Sequence, residues 1–324
     1  MTFVVEEPGS GSSLQDRGRP GNGHLGVSPS GAFDRDALRQ VNALLGNAPG
    51  AAALETYGGL VLRAEQLHVV AVTGGVGPVL LDGRPVPHGR AVPIAAGQRL
   101  VVGPATTGLR TYVGVTGGLV GRAELGSYAF DSLGGLGTPP PETGQVLVVG
   151  AAGTVPALDD VPPLIRSGGV DVDVVLGPRD DWFTDEALAR LTEQEWTVTP
   201  QSNRIGLRLE GAVPLDRAVT DELDSEATVS GALQIPPDGQ PVLFMADHPV
   251  TGGYPVVACV VGDQLDRAAQ VPIGARVRFR AVPGPALTGR AAAAAAAASS
   301  PGAEADDTAP VGPPAAVPER GDEA

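Results

Sequence analysis

The chain has 324 residues, 42% of them hydrophobic, with 46 Gly and 31 Pro, which suits two domains of short strands and turns better than a bundle of long helices. Its net charge of −15 repels phosphate backbones and anionic lipid, which argues against nucleic acid or a membrane surface as a partner. All 22 basic residues are Arg, and a chain without Lys can carry no biotinyl-lysine, no Schiff base and no Walker-type phosphate loop.

The first residues lack a basic stretch followed by a long apolar core, so no signal peptide is expected, and no run of 18 apolar residues follows. The expected compartment is the cytoplasm. The segment 15–21 reads Gln-Asp-Arg-Gly-Arg-Pro-Gly. Its glycines let a ligand approach the backbone, and Arg17 and Arg19 could fork onto a carboxylate or phosphate. A surface turn whose charges pair with each other is the equal alternative. The segment 26–34 is a Gly/Ser/Pro loop ending at Asp34. Asp34 predicts an N-cap for a helix running to about Leu45, with Gly46 and Asn47 as its stop. Glu55 stands in an otherwise apolar stretch. A carboxylate there serves either as an acid/base with a perturbed pKa or as one arm of a structural ion pair.

Short β-type runs bounded by Gly or Pro recur at 67–72, 99–102, 110–115 and 145–149. The Pro-rich stretch at 156–163 marks a boundary, placing one β-rich domain at 1–165 and a second at 166–284. In the second, Thr184 predicts the start of a helix running to about Gln194. The segment 202–209 reads Ser-Asn-Arg-Ile-Gly-Leu-Arg-Leu. Read as a strand, it puts Arg204 and Arg208 on one face as a carboxylate clamp, with Ser202 beside them. The segment 234–241 predicts strand, turn, strand, with Gln234 presented at a strand end. The segment 247–255 follows an apolar strand and offers Asp247 as an acid/base. Thr251, Gly253 and Tyr254 then serve as further ligand-binding groups. Cys259 lies in an apolar run and is read as a buried thiol. The four His residues show no metal-ligand spacing, so no metal is expected. From 285 to 324 an eight-Ala run and an Ala/Pro/acidic stretch predict a disordered tail.

Taken in order, these segments resemble the biotin-dependent carboxyltransferase family, also called the allophanate-hydrolase subunit 2 family. The matching blocks are 15–19, 29–34, 42–47, Leu54-Glu55, Gly117-Gly118, 125–127, 202–209, 234–241 and 247–254, with Gln270 beyond. The resemblance is nearest to the C subunits of ATP-dependent 5-oxoprolinases. It implies two cyclophilin-like β-barrels, consistent with a mainly β chain carrying a few short helices. It also implies a direct partner, the B subunit of such an enzyme, with a shared site, and a third component, the A subunit. The implied reaction is 5-oxo-L-proline + ATP + 2 H₂O → L-glutamate + ADP + phosphate. ATP would be a cosubstrate bound with the partner subunits, and biotin is not expected on this chain. Under this reading Arg17, Arg19, Arg204 and Arg208 bind carboxylate or phosphate, while Asp247, Glu55 and Asp34 are candidates for proton transfer. The commoner family form has Asp at 203 and Met at 205, so Asn203 removes a negative charge. Two other family roles stay open: a Kip-type regulatory protein that titrates a kinase inhibitor, and a carboxyltransferase component acting on a urea-like amide.

Overall fold

A computed structural model describes residues 2–153, 157–162 and 169–284. The expected tail at 285–324 and the expected boundary at 165 lie outside these residues. The chain is mainly β, with three α-helices among the described residues.

The N-terminal part forms two sheets. One has seven strands in the order Leu119–Val120, Val146–Val149, Thr2–Pro8, Leu60–Ala64, Arg99–Val102, Val79–Leu81, Arg84–Pro85. The other has five, in the order Ser13–Gln15, Ala53–Thr56, Thr107–Val115, His68–Val76, Val92–Ile94. Side chains alternate across each strand, so Phe3 and Val5 point inward with Leu62, Val72, Val113 and Leu147 to form one core.

Helix α1 (Arg35–Leu44) lies on the outer side of the five-stranded sheet. Asp34 starts it by accepting from the Ala37 amide, and Gly46, in the left-handed region at φ 63°, ends it. Ala37, Leu38, Val41 and Leu44 share one face, at spacings of three and four, and bury against Ala53, Ala71 and Tyr112.

The C-terminal part is a closed barrel of seven strands: Val170–Leu176, Val256–Val260, Ala232–Gln234, Val242–Phe244, Gly206–Glu210, Trp196–Val198, Arg276–Ala281. The last strand returns to the first in parallel, Val172 opposite Phe279. Val172, Val174, Trp196, Leu207, Leu209, Leu233, Leu243, Val257, Val277 and Phe279 fill its interior. Helix α2 (Asp185–Glu193), capped by Thr184, adds Ala187 and Leu191 to the same core. Helix α3 (Gln264–Ala268) faces the N-terminal part, where the Asp266 carboxylate accepts from the Arg35 amide at 3.0 Å.

Phe33 ties the two parts together. It belongs to the loop before α1, yet it is 3% exposed and packs within the barrel's core cluster. Burying one such ring contributes roughly 2–3 kcal/mol. Among the described residues no helix is long and apolar enough to cross a membrane.

Candidate functional site

Two loops of the N-terminal part, 15–21 and 28–34, run against each other where the barrel meets the sheets. The Arg19 amide donates to Pro29 O at 2.7 Å, and the Ala32 amide to Asp16 O at 2.8 Å. Gly18 and Gly31 make this approach possible. A Cβ on Gly31 would stand 2.6 Å from the Gly18 nitrogen, and one on Gly18 would stand 2.2 Å from Pro29 O. Both have positive φ, as does Ser30 at 52°, a conformation that a non-glycine residue adopts at a cost. Ser30 is held there through both its amide, which also donates to Ser28 Oγ at 3.2 Å, and its hydroxyl. Its amide donates to Ala246 O, and its hydroxyl lies 2.7 Å from Asp247 Oδ1 and 3.3 Å from Phe130 O.

Beneath these loops lies a buried ion network. Arg204, on the barrel side, donates from Nε to Asp247 Oδ2 at 2.9 Å and from Nη2 to Asp247 Oδ1 at 3.0 Å. Its Nη1 reaches Glu55 Oε1 at 2.7 Å, and its Nη2 also reaches Gly31 O at 2.6 Å. Glu55 accepts in addition from Arg110 Nη1 at 2.8 Å, the Tyr112 hydroxyl at 2.6 Å and the Phe33 amide at 3.0 Å. Asp247 accepts in addition from the Ser132 amide at 2.9 Å and the Ser132 hydroxyl at 2.7 Å. Side-chain exposure is 10% for Arg204, 1% for Glu55 and 0% for Asp247.

The electrostatics follow from this arrangement. Burial pushes the Glu55 carboxyl up, but Arg204 and Arg110, with the Tyr112 hydroxyl and the Phe33 amide, bring it below its ordinary value. Burial disfavours the charged Arg204, but Glu55 and Asp247 reverse that and raise its pKa. Every oxygen of Glu55 and Asp247 accepts at least two hydrogen bonds from charged or polar donors. Carboxylates so occupied make a cross-link between two halves, with no idle lone pair for a reacting proton.

Asp34 sits at the edge of this network. Its Oδ1 caps α1, and its Oδ2 accepts from Gln270 Nε2 at 2.7 Å. Burial raises its pKa to about 7 against the pull of these donors. Gln270, 1% exposed, also donates to Arg110 O and accepts from the Leu109 and Arg110 amides. The α1 N-terminus is thus occupied by the carboxylates of Asp34 and Asp266, as an ordinary capped helix start.

Other sequence candidates lie elsewhere. Arg19 is buried, with its guanidinium donating to Glu124 O and Ala129 O; it holds the loop at 121–144 in place. The clamp of Arg204 and Arg208 on one strand face does not form. The strand starts only at Gly206, because Asn203 Oδ1 takes the amides of Ile205 and Gly206 in a turn. Arg208 points to the outer barrel surface, where its amide donates to Ser202 Oγ. Gln234 is buried and donates to Tyr254 O at 3.0 Å. Thr251 pairs with Ala227 in a two-stranded ribbon, and Gly253 follows it. Tyr254 is exposed, with the Arg217 guanidinium 6.0 Å from its ring. Arg110, Tyr112, Ser30 and Ser132 belong to the network, and the sequence alone does not single them out. The signal available was a charged residue and a Tyr two apart in the apolar strand 110–115.

Arg17 is exposed at the rim of an open cleft of about 400 Å³. Ser30 and Asp16 line it with Arg35, Leu38 and Arg39 of α1 and with Pro20, Pro29 and Pro49. Asp16 is structural, accepting from the Gly18 amide, the Ser127 hydroxyl and the Tyr128 amide. This cleft sits over Ser30 and hence over the buried network. Among the described residues no group of three or more His, Cys, Asp or Glu is placed to hold a metal.

The family described as the carboxyltransferase domain, subdomain A and B, matches residues 25–281. The chain is 34% identical over 274 residues to the C subunit of 5-oxoprolinase from Escherichia coli (strain K12), covering 83% of this chain and 87% of that protein. It is 30% identical over 301 residues to urea amidolyase of Saccharomyces cerevisiae, covering 84% of this chain but 16% of that protein. A crystal structure of urea amidolyase from K. lactis superposes with a TM-score of 0.80 at 27% identity, over 87% of this chain and 19% of that one.

Proposed function

This chain belongs to the carboxyltransferase-domain family, and we propose that it serves as the C subunit of a cytoplasmic 5-oxoprolinase complex that opens 5-oxo-L-proline to L-glutamate at the expense of ATP. The observation that carries the reading is the cleft itself. It is cationic, small and open, and Ser30 in its lining is hydrogen-bonded to Asp247 of the buried network. Such a cleft supplies one wall of a site. The B subunit, as partner, supplies the other wall, and the A subunit completes the enzyme. The relatives named as C subunits of 5-oxoprolinase match this chain over most of their length, which supports this role over that of a segment in a urea amidolyase.

The chemistry explains the need for ATP. A lactam is a resonance-stabilised amide and a poor electrophile. Phosphoryl transfer to its carbonyl oxygen makes that oxygen a leaving group and the carbon a target for water. The carbon–nitrogen bond then breaks as the nitrogen takes up protons, leaving an acyl phosphate at the former ring carbonyl, and a second water hydrolyses it to the new carboxylate of glutamate and phosphate. ATP is held with the partner subunits in this scheme, since this chain has no phosphate-loop lysine. Biotin is not carried here for the same reason.

In this reading Glu55, Arg204 and Asp247 position the cleft and do not exchange protons with substrate. Arg17 contacts the substrate. The test is reconstitution with the A and B subunits, following glutamate and phosphate release from 5-oxoproline and ATP, with each protein omitted in turn. Release that requires all three supports the role. Release that persists without this chain rejects it. A parallel assay with urea covers the carboxyltransferase alternative, which the likeness to urea amidolyase favours; turnover of urea with a biotin carrier, and none of 5-oxoproline, would establish that alternative instead.

A further inference from the structure

We infer that the cleft over Ser30 is a pocket for a small saturated ring bearing one carboxylate, with Arg17 and Arg35 as the carboxylate's partners. The inference rests on the proposed 5-oxoprolinase role and names the substrate contacts of that same site. The chain carries −15 overall, yet the charged groups lining this cleft are one carboxylate and three guanidiniums. The carboxylate, Asp16, is buried and consumed by three donors. Arg39 is tied to Asp36 at 2.5 Å. Arg17 and Arg35 have no carboxylate within 4.0 Å of their guanidiniums among the described residues, whereas Arg110 and Arg204 beneath them are paired. Arg35 also interacts with the Asp266 carboxylate and borders a second cleft with Asp36 and Asp263, so Arg17 is the stronger and Arg35 the weaker anchor of an anion site in an acidic protein.

Arg35, Leu38 and Arg39 are spaced three and four apart on α1 and so project from one side of it. Leu38 and Pro29 give the cleft an apolar wall between its cationic rims. A ring packs on that wall while its carboxylate reaches the rim. The stem of Arg17 is steadied by the Gly50 backbone, where even a Cβ would come within 3.0 Å of Arg17 Cδ.

The experiment uses the reconstituted complex. Arg17→Gln and Arg35→Gln are each expected to raise KM for 5-oxoproline by about tenfold or more, the loss of one charge-assisted contact, while Arg84→Gln, on the exposed edge strand of the seven-stranded sheet and outside the cleft lining, leaves it unchanged. Both arginines are exposed, so the variants are expected to melt like the wild type. An unchanged KM in both overturns the inference and leaves the 5-oxoprolinase role standing. If no complex turns over 5-oxoproline, that role fails, and the pocket is judged by calorimetric titration of this chain with 5-oxoproline and with 2-pyrrolidinone, the same lactam without its carboxylate. Binding of the first alone, abolished by Arg17→Gln, sustains the pocket. Equal binding, or none, overturns it.

Discussion

Arg204 decides the local energetics. It is the only cation within 4.0 Å of Asp247 among the described residues, whereas Glu55 also has Arg110. Arg204→Ala therefore strands a buried Asp247 carboxylate with two serines, and a loss of about 3–5 kcal/mol is expected from its denaturation midpoint. Arg204→Lys recovers only part, because an ammonium cannot fork across Asp247 and Glu55 together. A midpoint unchanged in Arg204→Ala would show that the network does not hold the fold. Asp34 has the opposite character. Its folded pKa of about 7 lies above its ordinary 3.8, so the stability it contributes is full below about pH 4 and is lost as pH rises through about 7. Asp34→Asn removes that dependence. The stability of the wild type relative to this variant should fall between pH 4 and 7, measured by urea unfolding. A flat difference across that window would contradict burial as the cause.

The loop pair 15–21 and 28–34 behaves as one element, because backbone meets backbone at Gly18 and Gly31. Gly31→Ala should cost roughly 1–3 kcal/mol more than Gly21→Ala. Both glycines share φ 89°, but a Cβ at Gly21 meets nothing within 4 Å. Equal thermal shifts for the two variants would mean that the loops separate freely. The helices show what could be read from sequence at this scale. Asp34 and Thr184 are caps whose side chains bond a few residues away, and Gly46 is a stop. Local chemistry of this kind leaves a local mark, so α1 and α2 appear where the residues predict them, within one residue at each end. The strand at 206–210 shows the opposite. Arg204 and Arg208 have the spacing of one strand face, but a single Asn turn delays the strand by two residues and sends the two side chains apart. Spacing alone carries no sign of where a strand begins.

At the scale of the whole molecule, long-range pairing governs, and it was the least legible feature. Glu55 and Arg204 are 149 residues apart, and Gln270 reaches Asp34 across 236. No periodicity records such meetings. The mainly β architecture was visible in the Gly- and Pro-bounded runs. The cross-link between halves was not, and neither was the place of Phe33 in the barrel core. Gln270→Ala probes that junction, since it leaves the Leu109 and Arg110 amides and Arg110 O without their partner. About 2–4 kcal/mol should be lost, and the calorimetric transition should broaden or divide as the two parts uncouple; a single sharp transition of unchanged midpoint would contradict the junction. The functional claim meets its most direct test in a titration. Increasing amounts of this chain are added to fixed amounts of the A and B subunits with ATP and 5-oxoproline, and the initial rate of glutamate formation is recorded. A rate that starts near zero and saturates at a fixed ratio of this chain to the B subunit is the predicted result, and a rate indifferent to this chain at every ratio would contradict it.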